Sequence, residues 1–396
     1  MKWEKKGKEL DLYAEQLLQN WNEKVYVLGY GYYGSILVNS LHKNNILSGI
    51  VDNDIDKQGK CVCGCKIISV EEYINDINRI GAFGVIATSI RYQQSIESRL
   101  KQKGLIHGKD YFYHDEFLYR ILPVLITYKY NKSFVPLAQI SLTERCTLKC
   151  KKCAHACFAV SNDVEDLSLS DVCKSADCFF LKVDYIQEFV LIGGEPLLYS
   201  HLAEAIEYIG SKHRSKINIF SITTNGTIVP SKAVLELCKK NNVLYRISNY
   251  TSTLPHLKNH YEKLIKSLQQ YDISYVLGKQ EAEWMDYGFE YVNRTCSEDE
   301  LIKVFSSCNT PCREVRGNKY YYCVMARSVS ENLKFNVGQD DYLDLEKLIG
   351  ANYKRELLEF NLGYSEKGYL DMCKHCHGSE TKNYPIPVAE QVKRNE

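Results

Sequence analysis

The chain has 396 residues, with 50 lysines and arginines against 49 aspartates and glutamates, and 45% of its residues are hydrophobic. This length predicts two or three domains with well-buried cores, and the near-zero net charge argues against a nucleic-acid-binding surface or an electrostatic membrane anchor. The charged start and the lack of a long apolar run predict a cytoplasmic protein without a secretory signal or membrane span. In that reducing compartment, the 16 cysteines are expected to be metal ligands or buried thiols rather than disulfides.

A strand, a glycine turn, a helix, a second strand and an acidic residue follow one another early in the chain. The apolar segment 24–28 runs into Gly29, Gly31 and Gly34, and the next apolar segment ends at Asp52. This order is typical of a dinucleotide-binding unit, in which glycines let a phosphate approach the helix N-terminus and the acidic residue meets a ribose hydroxyl. A glycine turn that serves only helix–strand packing fits the same pattern.

A Rossmann-like parallel α/β domain is therefore predicted over residues 1–118, with a connector over residues 119–137. The run Val51-Asp-Asn-Asp, followed by Gly59 and by Ile67-Ile-Ser-Val-Glu-Glu, resembles the small Rossmann-like modules of enzymes of bacterial surface-sugar metabolism. The resemblance implies a nucleotide or nucleotide-sugar ligand for this domain.

Three cysteines follow the next predicted strand, which covers residues 138–143. Cys146, Cys150 and Cys153 have the spacing C-x-x-x-C-x-x-C, which lets one loop direct three sulfurs toward a single iron–sulfur cluster. Three ligands for a four-iron cluster leave one iron without a protein ligand. A zinc site completed by Cys157 is the alternative.

This triad resembles the defining motif of the radical S-adenosylmethionine (SAM) superfamily, and a second motif strengthens the resemblance. The residues Gly193, Gly194, Glu195 and Pro196 form a predicted turn after the second strand of the same βα series. In the superfamily this turn binds the amino group of SAM, while the open iron holds the SAM amino and carboxylate groups. The resemblance implies a partial (β/α)6 barrel over residues 138–292.

Polar residues at the ends of the following predicted strands extend the resemblance. It implies that Thr224, Asn225, Ser248 and Asn249 contact the ribose and carboxylate of SAM, with Arg246 as a carboxylate clamp. For each of these residues, capping of a turn is the structural alternative.

One position departs from the superfamily pattern. Lys152 precedes the third cysteine, where the superfamily usually has an aromatic ring beside the adenine. Either the methylenes of Lys152 lie along the nucleotide, or Phe158 takes the place of the ring.

A second group of cysteines lies in the C-terminal region. Residues 293–382 resemble the small Twitch or SPASM-type extension of radical SAM enzymes, which holds auxiliary clusters, and the polar segment 383–396 is predicted to be a mobile tail. The resemblance implies one auxiliary 4Fe-4S cluster, and its candidate ligands are Cys308 or Cys312, together with Cys323, Cys373 and Cys376. A zinc ribbon is the alternative.

The resemblance implies an α/β enzyme that cleaves SAM to a 5′-deoxyadenosyl radical, using an external electron donor of the flavodoxin or ferredoxin type. With the N-terminal module, it implies hydrogen abstraction from a nucleotide-activated sugar or polyol, giving oxidation or dehydration. One alternative is a maturase that oxidises, crosslinks or epimerises a ribosomal peptide, with Cys296 as the candidate hydrogen donor. The other is a non-enzymatic, zinc-stabilised nucleotide-binding adaptor.

Overall fold

The structure is a computed structural model that describes residues 6–76, 79–161, 163–280, 283–288, 296–378 and 384–392. The described chain forms two compact units, one within residues 6–134 and one within residues 135–392. None of the helices in the described residues is long and apolar enough to cross a membrane.

The first unit is built on a six-stranded sheet. Its strands are β1 (Val25–Leu28), β2 (Leu47–Val51), β3 (Cys61–Val62), β4 (Cys65–Ile68), β5 (Phe83–Ile86) and β6 (Tyr111–Tyr113). They lie in the order β3-β4-β2-β1-β5-β6, and β3 and β4 form an antiparallel hairpin while the other neighbours are parallel. The order reverses beside β1, and doubly wound sheets form ligand clefts at such a switch point.

Helices cover this sheet and extend through the predicted connector. They are α1 (Lys8–Gln19), α2 (Tyr32–Lys43), α3 (Val70–Asn75), α4 (Ile90–Gln102), α5 (His114–Glu116) and α6 (Leu122–Tyr130). A π-helical turn over Phe117–Ile121 joins α5 to α6, and Tyr128 Oη donates a 2.7 Å hydrogen bond to Asp11 Oδ1 on α1. Residues 119–130 are therefore helical and belong to the first unit.

The second unit is built on an eight-stranded sheet. Its strands are β7 (Phe134–Ser141), β8 (Tyr185–Ile192), β9 (Ile217–Thr224), β10 (Val243–Ile247), β11 (Tyr275–Leu277), β13 (Glu314–Arg316), β14 (Lys319–Tyr321) and β15 (Tyr342–Asp344). They lie in the order β11-β10-β9-β8-β7-β13-β14-β15, with β8 to β11 parallel. β8 is buried at every residue but its last, as a central strand covered on both faces should be.

Helices connect the parallel strands of this unit and follow them in the C-terminal region. They are α7 (Leu169–Lys182), α8 (Leu202–His213), α9 (Lys232–Lys240), α10 (Lys258–Gln270), α11 (Glu298–Ser307), α12 (Val324–Leu333) and α13 (Tyr353–Asn361). The mixed α/β architecture with parallel sheets is as predicted.

The six-unit barrel differs from the observed sheet. Strands β7 to β11 follow one another in chain order, but the described residues supply no sixth parallel strand beside β11. β12 (Trp284–Met285) instead pairs antiparallel with β16 (Pro385–Ile386), and β13 joins the sheet on the other side, next to β7. The predicted boundary between residues 292 and 293 lies outside the described residues.

The segment 384–392 lies against the cysteine loop. Lys151 N donates to Glu390 O over 2.6 Å and Val392 N donates to Lys149 O over 2.8 Å, while Ala389 is fully buried. The prediction of a mobile tail is wrong for this segment, because paired backbone groups and buried apolar atoms hold it in place. Residues 379–383 and 393–396 lie outside the described residues.

A buried cation connects the base of the cysteine loop to the C-terminal region. Arg327, on α12, is fully buried and forms ion pairs with Glu144 and Glu314. Glu144 lies two residues before Cys146. Because removal of one partner would leave a buried charge uncompensated, this cluster fixes the start of the loop relative to α12.

Candidate active site

One cavity of about 360 Å3 collects most of the predicted SAM-site residues at the carboxyl ends of the parallel strands. Its wall includes these predicted residues: Cys146, Cys150, Cys153, Gly193, Gly194, Thr224, Asn225 and Ser248. The cysteines come from the loop after β7, the glycines from the turn after β8, and the polar residues from the ends of β9 and β10. Parallel strands bring these loops to one edge of the sheet, which is why distant motifs meet there.

The glycine turn packs directly on the cysteine loop. Gly194 N donates to Thr143 O over 2.8 Å, and Glu195 N donates to Arg145 O over 2.9 Å. A Cβ on Gly193 would lie 2.3 Å from Thr143 O, and one on Gly194 would lie 2.2 Å from Arg145 O. Only glycine allows this approach, and Gly193 also has a φ of 152°.

Glu195 lies behind the cavity wall rather than on it. Its carboxylate is fully buried and accepts hydrogen bonds from Thr224 Oγ1 (2.8 Å), Asn225 N (2.8 Å) and Leu197 N (3.1 Å). Burial raises its pKa to about 7 against the opposing effect of these donors. Glu195 thus ties the turn after β8 to the end of β9, and Pro196 begins the short 3-10 turn that supplies Leu197 N.

The sulfurs of Cys146 and Cys150 each have a side-chain amide donor nearby. Asn225 Nδ2 lies 3.5 Å from Cys146 Sγ, and Gln391 Nε2 lies 3.2 Å from Cys150 Sγ. Hydrogen bonding from Cys157 lowers the pKa of Cys153, whereas burial raises the pKa of Cys146 to about 11. The donor set, three thiols on one loop, fits an iron–sulfur cluster with one iron left open.

The described residues contain no group of three or more His, Cys, Asp or Glu side chains that could hold a metal ion. A group of that kind would converge on a single metal ion. In a four-iron cluster each thiolate binds a different iron, so the ligand sulfurs stay farther apart.

Two predicted SAM contacts lie elsewhere. Arg246 forms an ion pair with Glu188, with Nη2–Oε2 at 2.7 Å, and Ser221 Oγ donates to the same carboxylate. Asn249 caps its own turn, because its Oδ1 accepts from Thr251 N and its Nδ2 donates to Gly278 O. In both cases the side chain already has protein partners.

Two aromatic residues that the sequence did not single out line the cavity. The rings of Tyr250 and Trp284 meet edge to face, with centroids 5.6 Å apart. Lys152 also lines the cavity, and its Nζ lies 3.1 Å from Asp286 Oδ2. Phe158, the predicted replacement for the missing ring, packs on the hydrophobic core instead.

The second cysteine group brings Cys308 together with three other predicted ligands. Cys308 directly follows α11, and Cys323 directly precedes α12. Both helices pack on the 3-10 turn Asp371–His375, which carries Cys373 and leads to Cys376. A Cβ added at Gly378 would lie 3.8 Å from Cys308 Cβ.

Cys312 shares only part of this environment, because Tyr287 feels its charge together with those of Cys308, Cys323 and Cys376. Burial raises the pKa of Cys312 to about 11, and the charges that act on it are those of Arg313, Glu188 and Glu314. Burial also raises the pKa of Cys323, but the charges that act on Cys323 are those of Cys376 and Cys308. The packing of α11 on the 371–375 turn and the charges acting on Cys323 therefore favour Cys308 over Cys312 in the second cysteine group.

Cys296, the predicted hydrogen donor, is half-buried and packs against the core of the second unit. It does not line the cavity of the cysteine loop.

The first unit has its own cavity of about 570 Å3 at the switch point of its sheet. Gly29, Gly31 and Asp52 line it, whereas a Cβ on Gly34 would lie 1.9 Å from Gly29 O, so Gly34 serves helix–strand packing. Asp52 accepts from Tyr30 N (2.7 Å), Asp54 N (2.9 Å) and Lys57 Nζ (3.1 Å). Hydrogen bonds from these donors lower the pKa of Asp52 even though burial acts to raise it. They leave about one of the four acceptor positions of the carboxylate open.

The fold and the site together define an α/β protein whose cysteine loop and glycine turn meet around one cavity. The Radical SAM superfamily model matches residues 140–272, which include both motifs. The chain thus contains a radical SAM superfamily domain.

Two curated relatives match a shorter stretch. GTP 3′,8-cyclase 3 of Mycobacterium bovis and the protein of the same name from Mycobacterium tuberculosis are each 34% identical over 99 residues, which cover 24% of this chain and 25% of the relative. The chain therefore matches about a quarter of the length of these relatives.

Solved structures give weaker similarities. BtrN in complex with AdoMet and 2-DOIA has a TM-score of 0.38 at 14% identity, covering 66% of this chain and 98% of BtrN. Streptococcus suis SuiB bound to S-adenosylmethionine has a TM-score of 0.29 at 15% identity, covering 48% of this chain and 39% of SuiB.

Replacing Gly194 with alanine should weaken SAM binding. The new Cβ would lie 2.2 Å from Arg145 O, so the turn must move away from the cysteine loop. We expect the affinity for SAM to fall roughly tenfold or more, because a loss of about 1.4 kcal/mol of binding free energy lowers affinity tenfold. Anaerobic calorimetric titration of the reconstituted full chain measures the affinity. Gly31→Ala is the matched control, because its Cβ would meet nothing within 4 Å. Equal affinity in G194A and wild type would contradict the tight packing.

Proposed function

We propose that this protein is a radical SAM enzyme that oxidises or dehydrates a nucleotide-activated sugar or polyol. The observation that carries the radical chemistry is the single cavity in which three thiols, a glycine turn and strand-end polar groups converge. The proposed substrate class rests on the separate cavity of the first unit, which Gly29, Gly31 and Asp52 line.

When bound, a reduced cluster and SAM supply a 5′-deoxyadenosyl radical that removes a hydrogen atom from the substrate. Cys146, Cys150 and Cys153 would hold the cluster. The backbone of the 193–194 turn would border the amino group of SAM, and Trp284 would offer the adenine an aromatic face, which Lys152 cannot supply. The cavity wall would shield the radical from water and from C–H bonds other than that of the substrate.

Oxidation of a carbinol removes one hydrogen atom, then one proton and one electron. The last electron needs an acceptor, for which Cys308, Cys323, Cys373 and Cys376 would hold an auxiliary cluster. An external donor of the flavodoxin or ferredoxin type would supply the first electron to the SAM site.

The first unit supports a nucleotide-linked substrate through its topology. We propose that it is Rossmann-like and that its switch-point cavity receives a nucleotide. Gly31 starts α2 with open space around it, and the remaining acceptor position on Asp52 suits a ribose hydroxyl. The curated relatives are named for a cyclisation of GTP, a different reaction, and their match covers too little of either chain to choose the reaction.

Replacing the three loop cysteines with alanine should abolish the conversion of SAM to 5′-deoxyadenosine. The wild type, reconstituted without oxygen, should hold about seven to eight irons as two four-iron clusters, and product is measured by chromatography after reduction. Cys157→Ala should retain the iron. If the wild type binds zinc, and C157A loses it, the adaptor interpretation replaces this proposal.

Replacing Cys308 with alanine should remove about four irons per chain and abolish turnover, because one ligand of the auxiliary four-iron cluster is lost. Cys312→Ala is the matched control and should retain the full iron content, since the charges that act on Cys312 are those of Arg313, Glu188 and Glu314 and not those of the other cysteines. Iron analysis and Mössbauer spectra measure both. Loss of iron from C312A alone would reverse the assignment.

Substituting Asp52 with asparagine should weaken binding of nucleotide-linked compounds by about tenfold, because a charge-assisted hydrogen bond to ribose contributes about 1.5–3 kcal/mol. Calorimetric titration of the full chain with UDP-, CDP- and dTDP-linked sugars measures this. Asp56→Asn provides the control, since Asp56 is exposed and outside the cavity. If none of these compounds binds the wild type, the sugar-nucleotide substrate is excluded, and stimulation of 5′-deoxyadenosine formation by peptides would favour the maturase.

A further inference from the structure

A remote segment forms a short antiparallel bridge with the cysteine loop. Cys150 and Gln391 are bridge partners, flanked by the hydrogen bonds Lys151 N to Glu390 O (2.6 Å) and Val392 N to Lys149 O (2.8 Å). This pairing fixes the position of Gln391 relative to the sulfur of the middle loop cysteine.

The side-chain amide of Gln391 is also fixed in orientation. Its Oε1 accepts from Lys149 N over 2.8 Å, so its Nε2 must face the other way. That nitrogen lies 3.2 Å from Cys150 Sγ and 2.6 Å from Ala389 O. The two hydrogens of one NH2 group thus have two acceptors, one of them the sulfur.

Gln391 differs from the other donors to the predicted ligand sulfurs. Asn225 lies at the end of β9 and Cys157 lies on the cysteine loop itself, so both belong to the radical SAM domain. Gln391 is 241 residues away from Cys150 along the chain. It has no part in the C-x-x-x-C-x-x-C motif or in the SAM-binding turn.

We propose that Gln391 is a positioning residue that sets the reduction potential of the SAM-site cluster through its hydrogen bond to Cys150. This inference rests on the proposed radical SAM function. A donor to a ligand sulfur stabilises added negative charge, so it favours the reduced cluster and raises its potential. The segment 384–392 would in this way make the site easier to reduce by a physiological one-electron donor.

The test compares Gln391→Glu and Gln391→Met with wild type in the full chain. Glutamate keeps the acceptor for Lys149 N but replaces the donor with a negative charge, and methionine removes the donor at similar length. The readout is redox titration in the absence of SAM, followed by the electron paramagnetic resonance signal that changes shape when SAM is added. Glu390→Gln is the control, because it removes only an exposed ion pair with Lys151.

We expect the ratio of reduced to oxidised SAM-site cluster at a fixed potential to fall about tenfold in both variants, which corresponds to about 59 mV for one electron. The E390Q ratio should match wild type. An unshifted ratio in a Gln391 variant that retains its iron would overturn the inference, as would an equal shift in E390Q. Loss of the cluster from both Gln391 variants would also overturn it, since the residue would then serve assembly.

Failure of the proposed function gives a separate result. A wild-type protein without a SAM-responsive signal would overturn the radical SAM proposal itself. A wild type that cleaves SAM, with variants that titrate like it, would overturn only the role of Gln391.

Discussion

The packing of the glycine turn on the cysteine loop is the constraint on which the site depends. Two backbone hydrogen bonds join Gly194 and Glu195 to Thr143 and Arg145, and the space between these segments has no room for a Cβ. The buried Glu195 carboxylate extends the connection to the end of β9. The loops after β7, β8 and β9 therefore form one hydrogen-bonded body, and a displacement of any of them would move the three thiols relative to the cavity.

The sequence predicted those features that depend on neighbouring residues. Buried parallel strands such as β8 are apolar along their length, and the cysteine spacing and glycine turn are local patterns, so their elements and motifs could be identified. Side-chain direction could not. Arg246 pairs with Glu188 instead of facing the cavity, and the sequence spacing alone does not choose between Cys308 and Cys312, whereas the packing of α11 favours Cys308. Gln391 had no local signal, because its partner lies 241 residues away.

The N-terminal glycine motif allows helix–strand packing and also leaves room for a ligand, the two roles that its sequence pattern predicts. Gly34 meets Gly29 O so closely that it must be small for α2 to pack on β1, whereas Gly31 stands free beside the cavity. Asp52, held by Tyr30 N, fixes the same turn from the other side. The motif thus builds the fold and leaves space for a ligand, so tight packing is no argument against binding here.

The bridge between Cys150 and Gln391 also constrains the order in which the site can be assembled during translation. The loop that carries the three thiols leaves the ribosome long before residue 392, and until then its outer edge has no strand partner. Long-range pairing of this kind closes late in folding because the intervening chain must first become compact. A nascent chain therefore lacks both this backbone pairing and the Gln391 donor to Cys150 until residues 390–392 have been synthesised.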